Sequence, residues 1–391
     1  MTNRVVLMAS LAAAASIPAM ATAGELTDWL SIDAYLRGRG SVSASGQAGA
    51  LGNTTKLGRL LNESSKIQID TEARHQSGAI AHIRLEGETL RGADAVGGAL
   101  GGMHLTQTWL EYKNALVDGL SIRVGSADYL MGVMQYYDLK PGRVLLETYG
   151  IRADYVADSL AFTVTAGDSG YMRSGSDGYH PVPTAAIAAS LSDGGMKLAA
   201  AAEVFGAIDS PDGESPASRK PGFKLVFGAK YSGEDMLRRA DSYLSIEHKM
   251  PTADRDDQYT ITAGHELEIA AGDAFRFGVG ILASWDYAKS ADLNALELSP
   301  LVRAQYAITE PLHVLAEMAY HARIDDMPGK AETEQAWQGK AGLVLSPAGI
   351  GLLTRPHLRL LYGAMHADGS FGQKDGASWK HTFAAEFELK F

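Results

Sequence analysis

From Trp29 onward the chain is a procession of segments, each roughly ten residues or somewhat longer, in which apolar and polar side chains alternate. Side chains on an extended strand point to opposite faces in turn, so this pattern gives each segment one greasy and one wet side. The last segment shows it well. Trp379, Phe383, Ala385, Phe387, Leu389 and Phe391 occupy odd positions, against Lys380, Thr382, Glu386, Glu388 and Lys390 at even ones. Such segments are read near 29–43, 62–76, 79–91, 103–115, 120–128, 144–156, 159–167, 184–191, 196–206, 221–231, 240–249, 257–270, 273–287, 295–308, 312–324, 334–347, 353–368 and 377–391. They are split by clusters of Gly, Pro, Asp, Asn and Ser, residues that favour turns over strands.

Alternation alone is shared by a secreted β-sandwich, whose greasy side is a core, and a transmembrane barrel, whose greasy side meets lipid. The N-terminus places the chain outside the cytoplasm. Arg4, the Ala-rich apolar stretch to Met20, and Ala21-Thr22-Ala23 read as a cleaved secretory signal, residues 1–23, ahead of a barrel domain spanning 24–391. Beyond it no apolar run reaches the roughly 18 residues of a membrane helix. A membrane protein without such a helix must be a closed barrel, because every backbone amide in hydrocarbon needs a partner within the protein. Eighteen strands, an even count, and an aromatic C-terminal residue fit an all-β transmembrane antiparallel barrel of the bacterial outer membrane. Short linkers such as Ser77-Gly78 and Ala157-Asp158 tend to alternate with long ones such as 129–143, 168–183 and 325–333, the turn-and-loop asymmetry of such barrels. The absence of cysteine excludes disulfides and thiolate metal sites. A formal charge of −11, one unit more negative once Arg4 is removed, argues against nucleic acid as a partner.

At the two ends the sequence resembles the maltoporin family of carbohydrate-selective porins. Ile32-Asp33-Ala34-Tyr35-Leu36-Arg37-Gly38-Arg39-Gly40 is similar to that family's opening strand, with Ala34 in place of a glycine. Lys56-Leu57-Gly58-Arg59-Leu60-Leu61-Asn62-Glu63 resembles its lead into the second strand. Arg355-Pro356-His357-Leu358-Arg359-Leu360, after Ser346-Pro347-Ala348-Gly349, resembles its next-to-last strand. The middle, from about Ser159 to Asn294, carries no such likeness. The resemblance implies a homotrimer of barrels, each with its own passive, water-filled channel. It also implies a third external loop folded inward and a file of aromatic side chains that guides sugar rings. Met134-Gln135-Tyr136-Tyr137-Asp138 is similar to the constriction segment of that loop, which makes Tyr136, Tyr137 and Asp138 the expected narrowest point.

The chemistry is sound in its own right. A pyranose stacks its C–H face on an aromatic ring and offers hydroxyls to cations and carboxylates, and a conducting pore needs each contact to be weak. Strand parity puts Asp33, Tyr35, Arg37 and Arg39 on the wet side of the first segment, and Trp109 on the wet side of the fourth. Trp109 reads equally as a residue of the interfacial girdle. Arg84, Arg123 and Arg359 fall on wet faces too, where they either meet solute or pair with lumen carboxylates and brace the wall. One departure weakens the sugar reading: Ser65-Lys66-Ile67-Gln68-Ile69 has no aromatic where the family has a slide tyrosine. The alternative is a general or anion-preferring small-solute porin without sugar specificity. An enzyme is not expected, since neither Gly-x-Ser-x-Gly nor a His-x-x-x-His pair occurs. No cofactor is implied, although a structural calcium could sit among external aspartates such as Asp254, Asp256 and Asp257, which also read as solvated charges.

Overall fold

A computed structural model describes residues 30–43, 55–61, 66–88, 104–145, 148–170, 181–206, 221–249, 258–288, 293–327, 330–351, 354–368 and 379–390. The signal segment, Phe391, the Asp254–Asp257 group and the Arg39 side chain lie outside the described residues.

The alternating segments form β1 (Leu30–Ser43), β2 (Lys66–Arg74), β3 (Ala79–Glu88), β4 (His104–Tyr112), β5 (Leu120–Ser126), β8 (Tyr149–Ala157), β9 (Leu160–Asp168) and β10 (Pro183–Asp193). They continue through β11 (Met196–Phe205), β12 (Gly222–Ser232), β13 (Leu237–Lys249), β14 (Gln258–Ala271) and β15 (Phe275–Ala288). The last five are β16 (Leu293–Ala307), β17 (Leu312–Met327), β18 (Lys330–Leu345), β19 (His357–Asp368) and β20 (Lys380–Lys390). Each pairs antiparallel with its neighbours in an 18-stranded sheet. Two further strands, β6 (Tyr129–Leu130) and β7 (Arg143–Val144), pair with each other inside the connection from β5 to β8. β20 closes the cylinder on β1, in register from Tyr35 opposite Lys390 to Ser43 opposite Thr382. At this seam the Phe387 ring covers Gly38, its cross-strand partner, where any Cβ would collide with it.

The two faces sort as parity requires. In β16, Leu298, Val302 and Tyr306 are exposed on the outer surface, while Glu297, Arg303 and Gln305 are buried on the inner one. In β3, Ile83 and Leu85 face out and His82 lies buried inside. Apolar side chains are thus on the outside and charged ones on the inside, the reverse of a soluble core. The arrangement is stable only if hydrocarbon surrounds the barrel, and every strand's backbone pairing around the closed ring removes the exposed edges that lipid would penalise. Aromatic pairs such as Tyr320 with Trp337, centroids 4.1 Å apart, and Trp285 with Tyr287 at 5.7 Å, stand on the outer face.

Strand count and linker alternation are as expected, with one revision. The linker expected over 325–333 is mostly strand: Asp325 pairs with Glu332, Asp326 with Ala331 and Met327 with Lys330. Only Pro328 and Gly329 remain between β17 and β18. Above the hydrocarbon both faces of a strand meet water, so its outer residues need not be apolar and alternation vanishes while the ladder continues.

Candidate pore site

The connection from β5 to β8 folds into the barrel. Its hairpin-like course is set by the β6–β7 pair and by the Met134–Leu139 bridge. Its apolar side chains, Met131, Met134, Tyr136, Tyr137, Val144 and Leu145, pack on the inner wall in one cluster with Val226, Tyr243, Leu282, Leu301 and Ala319. The wall makes room with glycine. A Cβ at Gly264 would collide with the Met134 sulfur, and one at Gly280 would lie 2.9 Å from the Tyr137 ring.

Polar groups of the wall complete the dock. The N–H groups of Gln135 and Tyr136 donate to the Glu266 carboxylate at 2.8 and 2.7 Å, and Arg239 pairs with the same carboxylate at 3.1 Å. The Leu145 N–H donates to Glu203 at 3.1 Å. The Tyr136 hydroxyl donates to the Leu267 carbonyl at 3.1 Å and the Tyr137 hydroxyl to the Ser299 carbonyl at 2.6 Å. Ser299 precedes Pro300, where pairing of β16 with β17 lapses between Leu298 and Leu301. Proline has no N–H for the ladder, and the Ser299 carbonyl serves the loop. Burial holds both phenols above the ordinary tyrosine range, so they remain neutral donors.

A second inward segment, 55–61, follows β1. Lys340 donates to the Leu57 carbonyl at 2.7 Å and to Glu317 at 2.6 Å, and the Leu61 N–H donates to Glu386 at 2.8 Å. The Arg59 N–H donates to the Tyr136 carbonyl at 2.7 Å, so the two inward segments support each other. Buried wall charges facing a loop carry its unpaired backbone groups, which water would otherwise have to reach.

Beside these segments a polar cavity of about 480 Å³ remains open. The β1 side contributes Asp33, Tyr35 and Arg37, and β2 and β3 contribute Lys66, Gln68, Asp70, His82 and Arg84. Arg59, Gln135, Asp138 and Lys140 reach it from the inward segments, joined by Arg355 and Lys390. Arg37 meets Asp138 at 3.5 Å, tying wall to loop across the cavity. Asp70 accepts from Arg84 at 2.5 Å and Gln68 at 2.6 Å, with His82 at 3.3 Å. Glu388 accepts from Tyr35 at 2.7 Å and Arg59 at 3.1 Å, and also pairs with Arg355.

The expected residues divide accordingly. Asp33, Tyr35, Arg37, Arg84 and Asp138 come together around the cavity. Trp109 is on the inner face, opposite His82 and stacked on it with centroids 4.7 Å apart, and Arg123 lies 4.1 Å over its ring while pairing with Glu111. That excludes the girdle position. Tyr136 and Tyr137, expected at the narrowest point, are both 0% exposed. Their rings face the wall rather than the water, because Gly280 and the Ser299 carbonyl there accept them, and they anchor the inward loop instead of lining the cavity. Arg359 is buried at 4% and lies 3.9 Å from Glu386, a bracing role.

Sequence reading missed Arg59, Lys140 and Arg355, which reach the cavity from segments without periodicity. Lys66, Gln68 and Asp70 were within reach, since they alternate on one face of β2. A Ser–His pair also emerges, Ser299 Oγ with His321 Nδ1 at 2.7 Å, but both residues are buried beneath the loop.

Residues 227–389, from within β12 to β20, match the family model described as LamB porin. The match begins inside the stretch where sequence reading found no likeness, and it leaves the N-terminal resemblance untouched. No curated protein sequence matches the chain. Among solved structures, a BenF-like porin from Pseudomonas fluorescens Pf-5 is similar with a TM-score of 0.54 at 12% identity, over 94% of this chain and 100% of that one. OccK1 (OpdK) of Pseudomonas aeruginosa gives 0.53 at 12% identity over the same shares, and OccAB2 of Acinetobacter baumannii 0.52 at 11%, again over 94% and 100%. At such identities these likenesses speak for the barrel alone. The C-terminal strands are thus similar to LamB porins, and the chain as a whole is a porin barrel of the bacterial outer membrane.

Proposed function

We propose that this porin passes small hydrophilic solutes, carbohydrates among them, by passive diffusion, and that it does so as a homotrimer. The observation that carries the reading is the polar cavity left beside the inward loop. Tyr35 offers a ring there, and Asp33, Gln68, Arg84 and Asp138 offer charged or amide groups to hydroxyls. Each is a modest contact that a sugar can make and leave. The trimer rests on the maltoporin resemblance.

A second reading, a porin indifferent to sugars, is favoured by one specific observation: among the described residues lining the cavity, Tyr35 is the one Phe, Tyr or Trp. Trp109 is sandwiched in ring contacts with His82 and Arg123, so no continuous aromatic file runs through the described residues.

Planar-bilayer conductance separates the two. The sugar reading expects openings in groups of three steps whose current falls when maltose or a longer oligosaccharide is added. Steady current that no sugar perturbs leaves the unselective porin standing, and single openings remove the trimer.

A further inference from the structure

The charge around the cavity is uneven. Among the described residues, seven Lys and Arg side chains line it against three Asp. Two more carboxylates touch lining cations, Glu86 at 3.2 Å from Lys66 and Glu388 beside Arg59 and Arg355. Even with both included the cations remain in excess. Four of these five carboxylates are also already engaged: Asp70 by Arg84, His82 and Gln68, Asp138 by Arg37, Glu86 by Lys66, and Glu388 by Arg59, Arg355 and Tyr35.

Part of the excess is Lys140, on the inward loop that lines the cavity together with β2. Among the described residues it has no ion-pair partner, and it reaches the cavity from an exposed position on the loop. Partial desolvation within the cavity, together with repulsion from Lys66 and Arg143, holds its pKa below the ordinary lysine range. Cations crowded in a partly desolvated cleft favour an anion between them.

We propose that Lys66 and Lys140, flanked by Arg37 and Arg84, form a carboxylate subsite in the channel, and that solutes bearing one carboxylate on a hydroxylated frame, such as hexuronic acids, are preferred over neutral sugars. This rests on the channel reading above. The carboxylate sits between the two ammonium groups while its hydroxyls reach Gln68, Asp33 and Asp138.

The test compares glucuronate with glucose, which differ at a single carbon. In bilayers under a potassium chloride gradient, the wild-type reversal potential should show anion preference, and glucuronate should block chloride current more strongly than glucose. Lys140→Gln and Lys66→Gln should each weaken the glucuronate block about fivefold, the effect of losing one partly exposed ion pair. Lys140→Arg should restore it, which also shows that the loop has kept its place. Cation preference, or equal block by both sugars in open channels, overturns the subsite and leaves the channel reading intact. Absence of any wild-type conductance overturns both.

Discussion

The inward loop is held by a single wall carboxylate more than by any other polar group, so Glu266→Gln is the informative perturbation. Glu266 is wholly buried and receives two backbone N–H groups of the loop and the Arg239 guanidinium. Hydrogen bonds to a charged acceptor contribute about 1.5–3 kcal/mol each. An amide of the same size keeps one acceptor oxygen, loses the charge, and points two donors of its own at Arg239 and the loop. The net loss in docking is about 3 kcal/mol, and since each ~1.4 kcal/mol is a factor of ten, excursions of the loop from the wall become about a hundredfold more frequent. The loop does not leave for good, because Tyr136 and Tyr137 each retain an aromatic burial of about 1.5–3 kcal/mol. The strand ladders make none of these contacts, so the barrel itself should resist heat as before. Single-channel recording should therefore show greater current noise and a larger mean conductance at unchanged barrel stability. Conductance and noise equal to wild type would refute the assignment of Glu266 as the clasp.

Two other substitutions probe the wall. Val302 is exposed on the outer face of β16, and Val302→Arg there should lower barrel stability in liposomes by about 2–4 kcal/mol, measured by urea unfolding; an unchanged midpoint would place that face in water. Gly38→Val puts a side chain into the Phe387 ring at the closing seam. A barrel with reduced heat resistance on semi-native gels is the expected result, by about 1–3 kcal/mol of overpacking, and full resistance would mean that Phe387 does not pack on Gly38 at the β1–β20 junction.

Much of the barrel is legible from residue order because hydrocarbon enforces a strict rule: each outward position must be apolar, so eighteen strands announce themselves by period two. Where that rule lapses, so does legibility, as at Asp325–Met327 and Lys330–Glu332, which pair as strands although nothing in their hydropathy marks them. The site divides in the same way. Asp33, Tyr35 and Arg37 share a strand face and follow from parity, whereas Arg59, Lys140 and Arg355 lie on segments whose direction is set by contacts distant in sequence. The tyrosines show the limit most clearly. Tyr136 and Tyr137 mark the constriction segment by resemblance, but the direction of their rings depends on Gly280 and on the Ser299 carbonyl beside Pro300, more than a hundred positions away. Pro300 in mid-strand is a local mark of the place where the ladder to β17 lapses.

The central claim, water within and lipid without, is tested most directly by accessibility of single cysteines, which the cysteine-free chain permits without background. Cysteines placed at Gln68, Asp70 and Arg84 should react with a small charged thiol reagent when the porin is in liposomes, and cysteines at Ile83 and Leu85 should not. Labelling of Ile83 and Leu85 with protection of Gln68, Asp70 and Arg84 would contradict the account, since it would put the solvent on the apolar side of the wall.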